Sequence, residues 1–272
     1  MATLQTVQKI GPVLDLFTVE RPEWGVSEVA TTIDLPRSSA HALLSSLVDI
    51  GILQCRARGR YRIGWRVVEL GQALRGTVDV RSCAAPVIDR LVDKYGETTH
   101  LAVMERWRVL YVDKVVGTHN ITVQGARVGT RLDAHCTAVG KVLLAQLHDA
   151  ELRRFFDSAA LRRRTPTTIT DPAALVETLA AVRSTGCAFD LGEAVADVDC
   201  VAAPVRDDMG TVVAAISMSV PASRFVANRA EIHRAVVGAA NEVTRALAEV
   251  SQAVVPLTCR EPATSERGRF AS

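Results

Sequence analysis

The chain has 272 residues, a length that suggests about two domains. Hydrophobic residues make up 48% and charged residues 23%, ordinary for a soluble globular chain with a sizeable core. The net charge of +2 is too small to mark a polyanionic partner, and 4% aromatics leave few flat side chains for stacking single-stranded bases. No charged-then-apolar leader and no bilayer-length apolar run stand in the sequence, so neither export nor a membrane partner is expected. Cys55, Cys83, Cys136, Cys187, Cys200 and Cys259 form no C-x-x-C pair. They fit reduced thiols of a cytoplasmic protein better than a disulfide framework.

In chain order, Ile10, Val13, Leu14 and Phe17 keep a helical spacing, and Pro12 either opens that helix or kinks it. Ser27 is the expected N-cap of a short helix that carries Val29 and Ala30 inward. Ile33, Asp34 and Leu35 form a gap, and Pro36 suits the first position of the next helix. That helix places Ala40, Leu43, Leu44, Leu47 and Val48 on one side, and Gly51 ends it. "ILQCRARGRYRIG" then reads as a two-stranded wing turning at Gly59. Arg56, Arg58, Arg60, Arg62 and Arg66 crowd this region without an acid among them. Taken alone, such a run is equally well a solvated basic hairpin.

Trp65 to Glu97 is mostly helical, with a break near Gly76 to Asp79. The first helix is a connector. The second, with Val87, Ile88, Leu91 and Val92, packs on the domain C-terminal to it. "THLAVM" and "VLYVDKV" form a hairpin, and "NITVQ" is a candidate third strand. "TAVGKVLLAQL" is a helix capped by Thr137, and Asp171-Pro172 opens another that Gly186 closes. "CVAAPVRDDMGTVVAAISMSV" gives two apolar strands around a turn at Gly210, and a long helix runs from about Ser223 to Val250. The expected fold class is α+β. It comprises an N-terminal winged helix-turn-helix (1–64), a linker helix (65–79), an antiparallel sheet domain (80–252) and a disordered tail (253–272).

A helix-turn-helix needs a second helix whose apolar face anchors it while small or polar residues near its N-terminus enter the major groove. Arg37, Ser38, Ser39, His41 and Ala42 lie opposite the apolar set. Arg37 suits a guanine edge or a phosphate, and Ser38 and Ser39 suit phosphates. His41 is a surface or phosphate-facing residue rather than a metal ligand. Arg56, Arg58 and Arg60 would neutralise phosphates and supply salt-dependent affinity. The competing reading is a helical module with an exposed polar helix.

In the second half, polar residues interrupt apolar strands. Ser217 and Ser219 lie two apart and so share a sheet face, Cys200 begins another strand, and Asp190 precedes it. Together they would make a small polar pocket in an apolar domain. From spacing alone the two serines read more readily as core hydroxyls with satisfied bonds or as residues of an exposed face.

Five ordered blocks resemble the IclR-type transcriptional regulators: "LPRSSAHALLSSLVDIGIL", "YRIGWRVVELG", "GETTHLAVM", "HCTAVGKVLLA" and "CVAAPVRDDMGTVVAAISMSVPASR". The resemblance spans about Val7 to Val250. It implies a winged helix-turn-helix, a linker helix, a GAF-like effector domain, and homodimers or homotetramers on pseudo-palindromic double-stranded operators. It also implies an effector held by Asp190, Cys200, Ser217 and Ser219 with Ala138 and Val139, and lined by Ile121, Gln124 and Val198. Backbone N–H groups at the "AVGK" helix start would suit a carboxylate. Asp190 would then act as a positioner or hydrogen-bond acceptor. The chain departs from the family pattern at Ala42, where many relatives have Arg, at Asp133, where Pro is usual, and at Asp197, where Gly is usual.

Other signals fail. Gly140-Lys141 lacks the flanking residues of a phosphate loop, with His135 and Val142 in their places. Neither a dinucleotide fingerprint nor G-x-S-x-G occurs. His100, His119 and Cys200 are too scattered for zinc, and Cys200 has no evident base to make it a nucleophile. The expected protein is therefore an effector-controlled, sequence-specific DNA-binding regulator, repressor or activator, without cofactor or metal. The effector expected is an organic acid or aromatic catabolite. The alternative is an enzyme or small-molecule-binding domain carrying a helical dimerisation module.

Overall fold

The computed structural model describes residues 5–75, 80–119 and 126–254. Contacts divide the chain into two compact units, with the boundary between Thr77 and Val78.

The first unit runs α1 (Gln5–Leu14), β1 (Trp24–Gly25), α2 (Val26–Thr32), α3 (Arg37–Asp49), β2 (Leu53–Arg56), β3 (Arg60–Ile63) and α4 (Arg66–Arg75). Pro12 lies inside α1, near its C-terminal end, so the helix neither begins nor stops at it. The expected cap at Ser27 is wrong by two residues. Gly25 precedes the helix, and the Glu28 carboxylate accepts its N–H at 2.7 Å. Ser27 falls inside the first turn, and Glu28, the third helical residue, reaches back to the N–H of the cap residue Gly25, the glutamate half of a capping box. Pro36 likewise stands one place earlier than expected, at the N-cap of α3 with an extended ψ of 138°.

Val13, Trp24, Val29, Ala30, Ala40, Leu43, Leu44, Leu47, Leu53 and Tyr61 close a core under α3. The wing has three strands rather than two, in the order β1-β3-β2. Trp24 pairs with Tyr61 and Gly25 with Arg60. A two-residue strand carries too little periodicity to be seen in sequence.

The second unit runs α5 (Val80–Tyr95), β4 (Thr98–Glu105), β5 (Arg108–Val115), β6 (Arg131–Asp133), α6 (Ala138–Leu144), α7 (Asp149–Ser158), α8 (Pro172–Thr185), β7 (Ala188–Leu191), β8 (Val198–Arg206), β9 (Val212–Pro221) and α9 (Ala222–Val254). Six strands form one antiparallel sheet in the order β6-β5-β4-β9-β8-β7. Thr137 caps α6 by accepting the Gly140 N–H, and Asp171 caps α8 by accepting those of Ala173 and Ala174. Gly186 ends α8 in the left-handed region, as its position predicts. The helix α7 was not expected, although Leu152 and Phe155 face the core and Glu151 takes the N–H of His148 ahead of it. "NITVQ", the break at 76–79 and the tail from 255 lie outside the described residues. Among the described residues, the strand beside β5 is Arg131–Asp133.

Alternation along the strands sorts the sheet into two faces. Val201, Ala203, Val205, Ala214, Ile216, Met218 and Val220 pack with α5 and α9. Ala102, Tyr111, Cys200, Ala202 and Ala215 pack with α6, α7 and α8. Both faces are covered, so residues on either one are cut off from water.

Leu44 is fully buried at the centre of the first unit. Leu44→Ala should cost about 3 kcal/mol in urea unfolding followed through Trp24, as cavity-forming leucine truncations do. A loss below about 1 kcal/mol would mean that α3 is not anchored through this residue.

Candidate functional site

On α3 the two faces are cleanly divided. Ala40, Leu43, Leu44 and Leu47 are buried, while Arg37, Ser38, Ser39, His41 and Ala42 are exposed. The wing tip, Arg56 to Gly59, is exposed, and its turn places both Arg58 and Gly59 in the left-handed region at φ 61° and 68°. The guanidiniums of Arg37, Arg56 and Arg58 make no hydrogen bond or ion pair to any described residue. Arg60 differs. Its guanidinium pairs with Glu28 and donates to the Glu23 carbonyl at 2.8 Å. Glu28 also pairs with Arg21, which lies 3.4 Å over the Trp24 ring. The Gly25 N–H and both arginines hold the Glu28 carboxyl below the usual range. Arg60 thus fastens β3 to α2, whereas Arg56 and Arg58 extend from the fold unpaired.

In the second unit, register brings the expected polar residues to one sheet face. Asp190 pairs with Cys200, Cys200 with Ser219, and Ala202 with Ser217. The Cys200 Sγ and Ser219 Oγ are 3.1 Å apart. All four side chains belong to the α6 face and are buried. Ala138 and Val139, at the start of α6, lie in the same core cluster as Cys200, and Val198 packs against it. Ile121 and Gln124 lie outside the described residues.

Burial and the electrostatics of the neighbours set the protonation states. Asp190 is pushed up to about 7, first by loss of water, despite N–H bonds from Glu193 at 2.6 Å and Ala194 at 3.3 Å. Burial and the Asp190 charge also push the Cys200 thiol upward, so it is a neutral thiol and not a thiolate nucleophile.

Sequence reasoning missed three members of this face. His100 of β4 pairs with Ser217, and Tyr111 of β5 lies 5.2 Å from it, ring centre to ring centre, edge to face. Lys114 of β5 pairs with His100 and donates to the Ala126 carbonyl at 2.8 Å. The available signal is the period-two spacing from Ala102 to His100, which weighing His100 only as a scattered zinc ligand does not use. Among the described residues no group of three His, Cys, Asp or Glu side chains could hold a metal ion.

Lys141, whose sequence context raises only a phosphate loop, is buried. It forms an ion pair with Glu193 and donates to the Phe189 carbonyl at 2.9 Å. Gly140 is needed beside it, since a Cβ there would lie 2.2 Å from the Ala134 carbonyl oxygen. The departures at Asp133 and Asp197 also have physical accounts. The Asp133 carboxylate accepts from Arg164 at 2.8 and 3.0 Å. Asp197 adopts φ 63°, the left-handed backbone for which glycine is the easiest residue and Asp one of the few tolerated alternatives.

Comparison with known proteins places both units. Residues 6–56 match the IclR helix-turn-helix domain, and residues 72–245 match the family described as bacterial transcriptional regulator IclR C-terminal. The chain is 34% identical over 225 residues to the HTH-type transcriptional regulator XynR of Escherichia coli, covering 82% of this chain and 89% of that one. It is 35% identical over 205 residues to the HTH-type transcriptional repressor AllR of Salmonella typhimurium, covering 75% of each. Among solved structures, an IclR homolog from Microbacterium hydrocarbonoxydans complexed with 4-hydroxybenzoate aligns with a TM-score of 0.76 and 32% identity. That alignment covers 89% of this chain and 99% of the other. The chain belongs to the IclR family of transcriptional regulators, proteins that bind DNA through a helix-turn-helix and an effector through the C-terminal domain.

Proposed function

We propose that α3 enters the major groove with Arg37, Ser38, Ser39 and His41 leading, that Arg56 and Arg58 hold phosphates, and that a small organic acid binding the α6 face of the sheet sets DNA affinity. The observation that carries this reading is the convergence of Asp190, Cys200, Ser217 and Ser219, in adjacent register, on one dry face under α6. An apolar domain has no structural need for such a set, whereas a ligand site does. The exposed, unpaired state of Arg37, Arg56 and Arg58 supports the DNA contacts. Arg60 acts at one remove, by fastening the wing through Glu28.

Two further points belong to the same reading. A family member from Microbacterium hydrocarbonoxydans is complexed with 4-hydroxybenzoate, which is an aromatic acid and supports that ligand class here. Trp65, Val68 and Leu70 on and beside α4 are exposed apolar side chains, which suit burial between copies in a homodimer or homotetramer on a pseudo-palindromic operator. An enzymatic reading has less support, because burial holds the Cys200 thiol protonated and its hydrogen-bond partner is the Ser219 hydroxyl.

Fluorescence anisotropy on DNA from upstream of the protein's own gene, against scrambled DNA at several salt concentrations, tests the DNA contacts. Site-selective binding that weakens with salt is expected. Arg58→Ala should lower affinity on all sequences and reduce the salt slope by about 1, with the melting temperature unchanged. Arg37→Ala should cost about 1–3 kcal/mol and relax base preference. Arg60→Ala should lower the melting temperature. If wild-type protein has no DNA affinity at low salt, the groove assignment fails.

Asp190 gives a second test. Its folded pKa of about 7 lies above the ordinary carboxyl value, so between about pH 4 and 7 the folded state holds a proton that the unfolded state has released. Stability from this group is complete at acid pH and is lost as pH rises through about 7. Asp190→Asn keeps an oxygen for the Glu193 N–H and carries no charge. Its stability advantage over wild type should grow from pH 4 to 7 and level off above. A pH-independent difference in thermal melts would show that Asp190 is ionised in the fold throughout.

A further inference from the structure

The imidazole of His100 is the least explained group in the second unit. It is 1% exposed, and neither ring nitrogen has a hydrogen-bond partner among the described residues. Leaving a buried donor or acceptor unmet is costly, and two on one side chain are rare in a native protein. His100 sits in the middle of the polar face. Ser217 is its register partner on β9, and Lys114 is its register partner on β5. Tyr111 stands edge-on to it, with a phenol that burial and the nearby Cys200 and Asp190 hold firmly protonated. Neither the Ser217 nor the Tyr111 hydroxyl bonds to a described side chain. The imidazole itself is held neutral, its pKa pressed down to about 3 by burial and then by the Lys114 charge.

We propose that His100 is an effector-contacting residue, and that it reads an uncharged hydroxyl on the ligand, so the effector is a small hydroxylated organic acid. The inference rests on the effector site proposed for this face. A neutral imidazole carries one N–H donor and one bare nitrogen acceptor. A carboxylate only accepts, so it would leave the bare nitrogen unmet and bring its own charge against a dry, neutral surround. A hydroxyl both donates and accepts, as Ser217 and Tyr111 beside it do. The charge of Lys114, on the same face one strand out, favours an anionic ligand nearby while opposing protonation of His100. A metal would need further ligands, and no such grouping exists among the described residues.

The test uses full-length protein and pairs of acids that differ by one hydroxyl: benzoate against 4-hydroxybenzoate, and propionate against lactate. Binding is read by calorimetry and by thermal shift. Wild type is expected to favour a hydroxylated member by about tenfold to a hundredfold, the range for a buried hydrogen bond made or left unmade. His100→Leu should fold with undiminished ligand-free melting temperature, because it removes unmet polar atoms, and should bind both members of a pair equally. His100→Asn keeps a donor and an acceptor and should retain part of the preference, which also serves if the leucine variant fails to fold. Equal binding of each pair by wild type, or an unchanged preference in both variants, overturns the role of His100 and leaves the pocket standing. If none of the four acids binds wild type, the acid-binding pocket falls, and this proposal with it.

Discussion

A sheet covered on both faces has no water to offer the side chains it carries. That constraint governs the second unit. The α5 and α9 face meets it mostly with Val, Ile, Leu, Ala and Met, and its buried Asp113 pairs with Arg81 of α5. The α6 face does not. Asp190, Cys200, Ser217, Ser219, His100 and Tyr111 occupy positions where the same alternation would favour aliphatic residues. Some of them satisfy one another, as Cys200 and Ser219 do, or turn to backbone N–H groups, as Asp190 does. Among the described residues the imidazole finds neither remedy. A fold that keeps such residues in a dry interior gives up stability there, and sites of function are where proteins accept that loss.

The first unit solves a different problem in the opposite way. α3 must be rigid on one side and bare on the other. Its four buried residues lock it over α2 and the wing, and its exposed N-terminal residues make almost no internal bonds. Four arginines lie at the base or the tip of the wing, and their roles separate by partner. Arg21 and Arg60 converge on the one carboxylate, while Arg56 and Arg58 meet none among the described residues. Counting arginines in the sequence could not make that division, because Glu28 lies 32 residues from Arg60 and only the β1–β3 pairing brings them together.

Elements with long periodicity or explicit end signals were legible in sequence. Thr137, Asp171 and Gly186 cap or stop their helices as their chemistry requires, and the β8–β9 hairpin follows from two apolar runs around a glycine turn. Short or indirectly capped elements were not. β1 is two residues long, α2 is capped by a glutamate in its first turn, and α7 carries only two buried residues. The site shows the same divide. Ser217 and Ser219 announce a shared face by spacing alone. Their nearness to His100 depends on β9 lying beside β4, a pairing across more than a hundred residues that no local pattern encodes.

The buried ion pair of Lys141 and Glu193 links the two walls of this face. Lys141 belongs to α6, and Glu193 to the segment between β7 and β8, three residues after Asp190. Thr165 and Thr168 hold the backbone of that segment by donating to its carbonyls at Gly192 and Glu193. An isolated charge at either position would be expensive in such a place, so α6 and the segment are constrained to move together or to separate at large cost. An effector controls DNA affinity only through unequal affinity for two arrangements of the protein. On the proposed assignment, a ligand beside Asp190 would touch the segment at its base, where Asp190 already accepts the Glu193 N–H. Any shift of that carboxyl is therefore felt at Glu193, and through the ion pair at α6. The segment after β7 and the helix α6 form one mechanical unit, tied by a pair of charges that neither can leave alone.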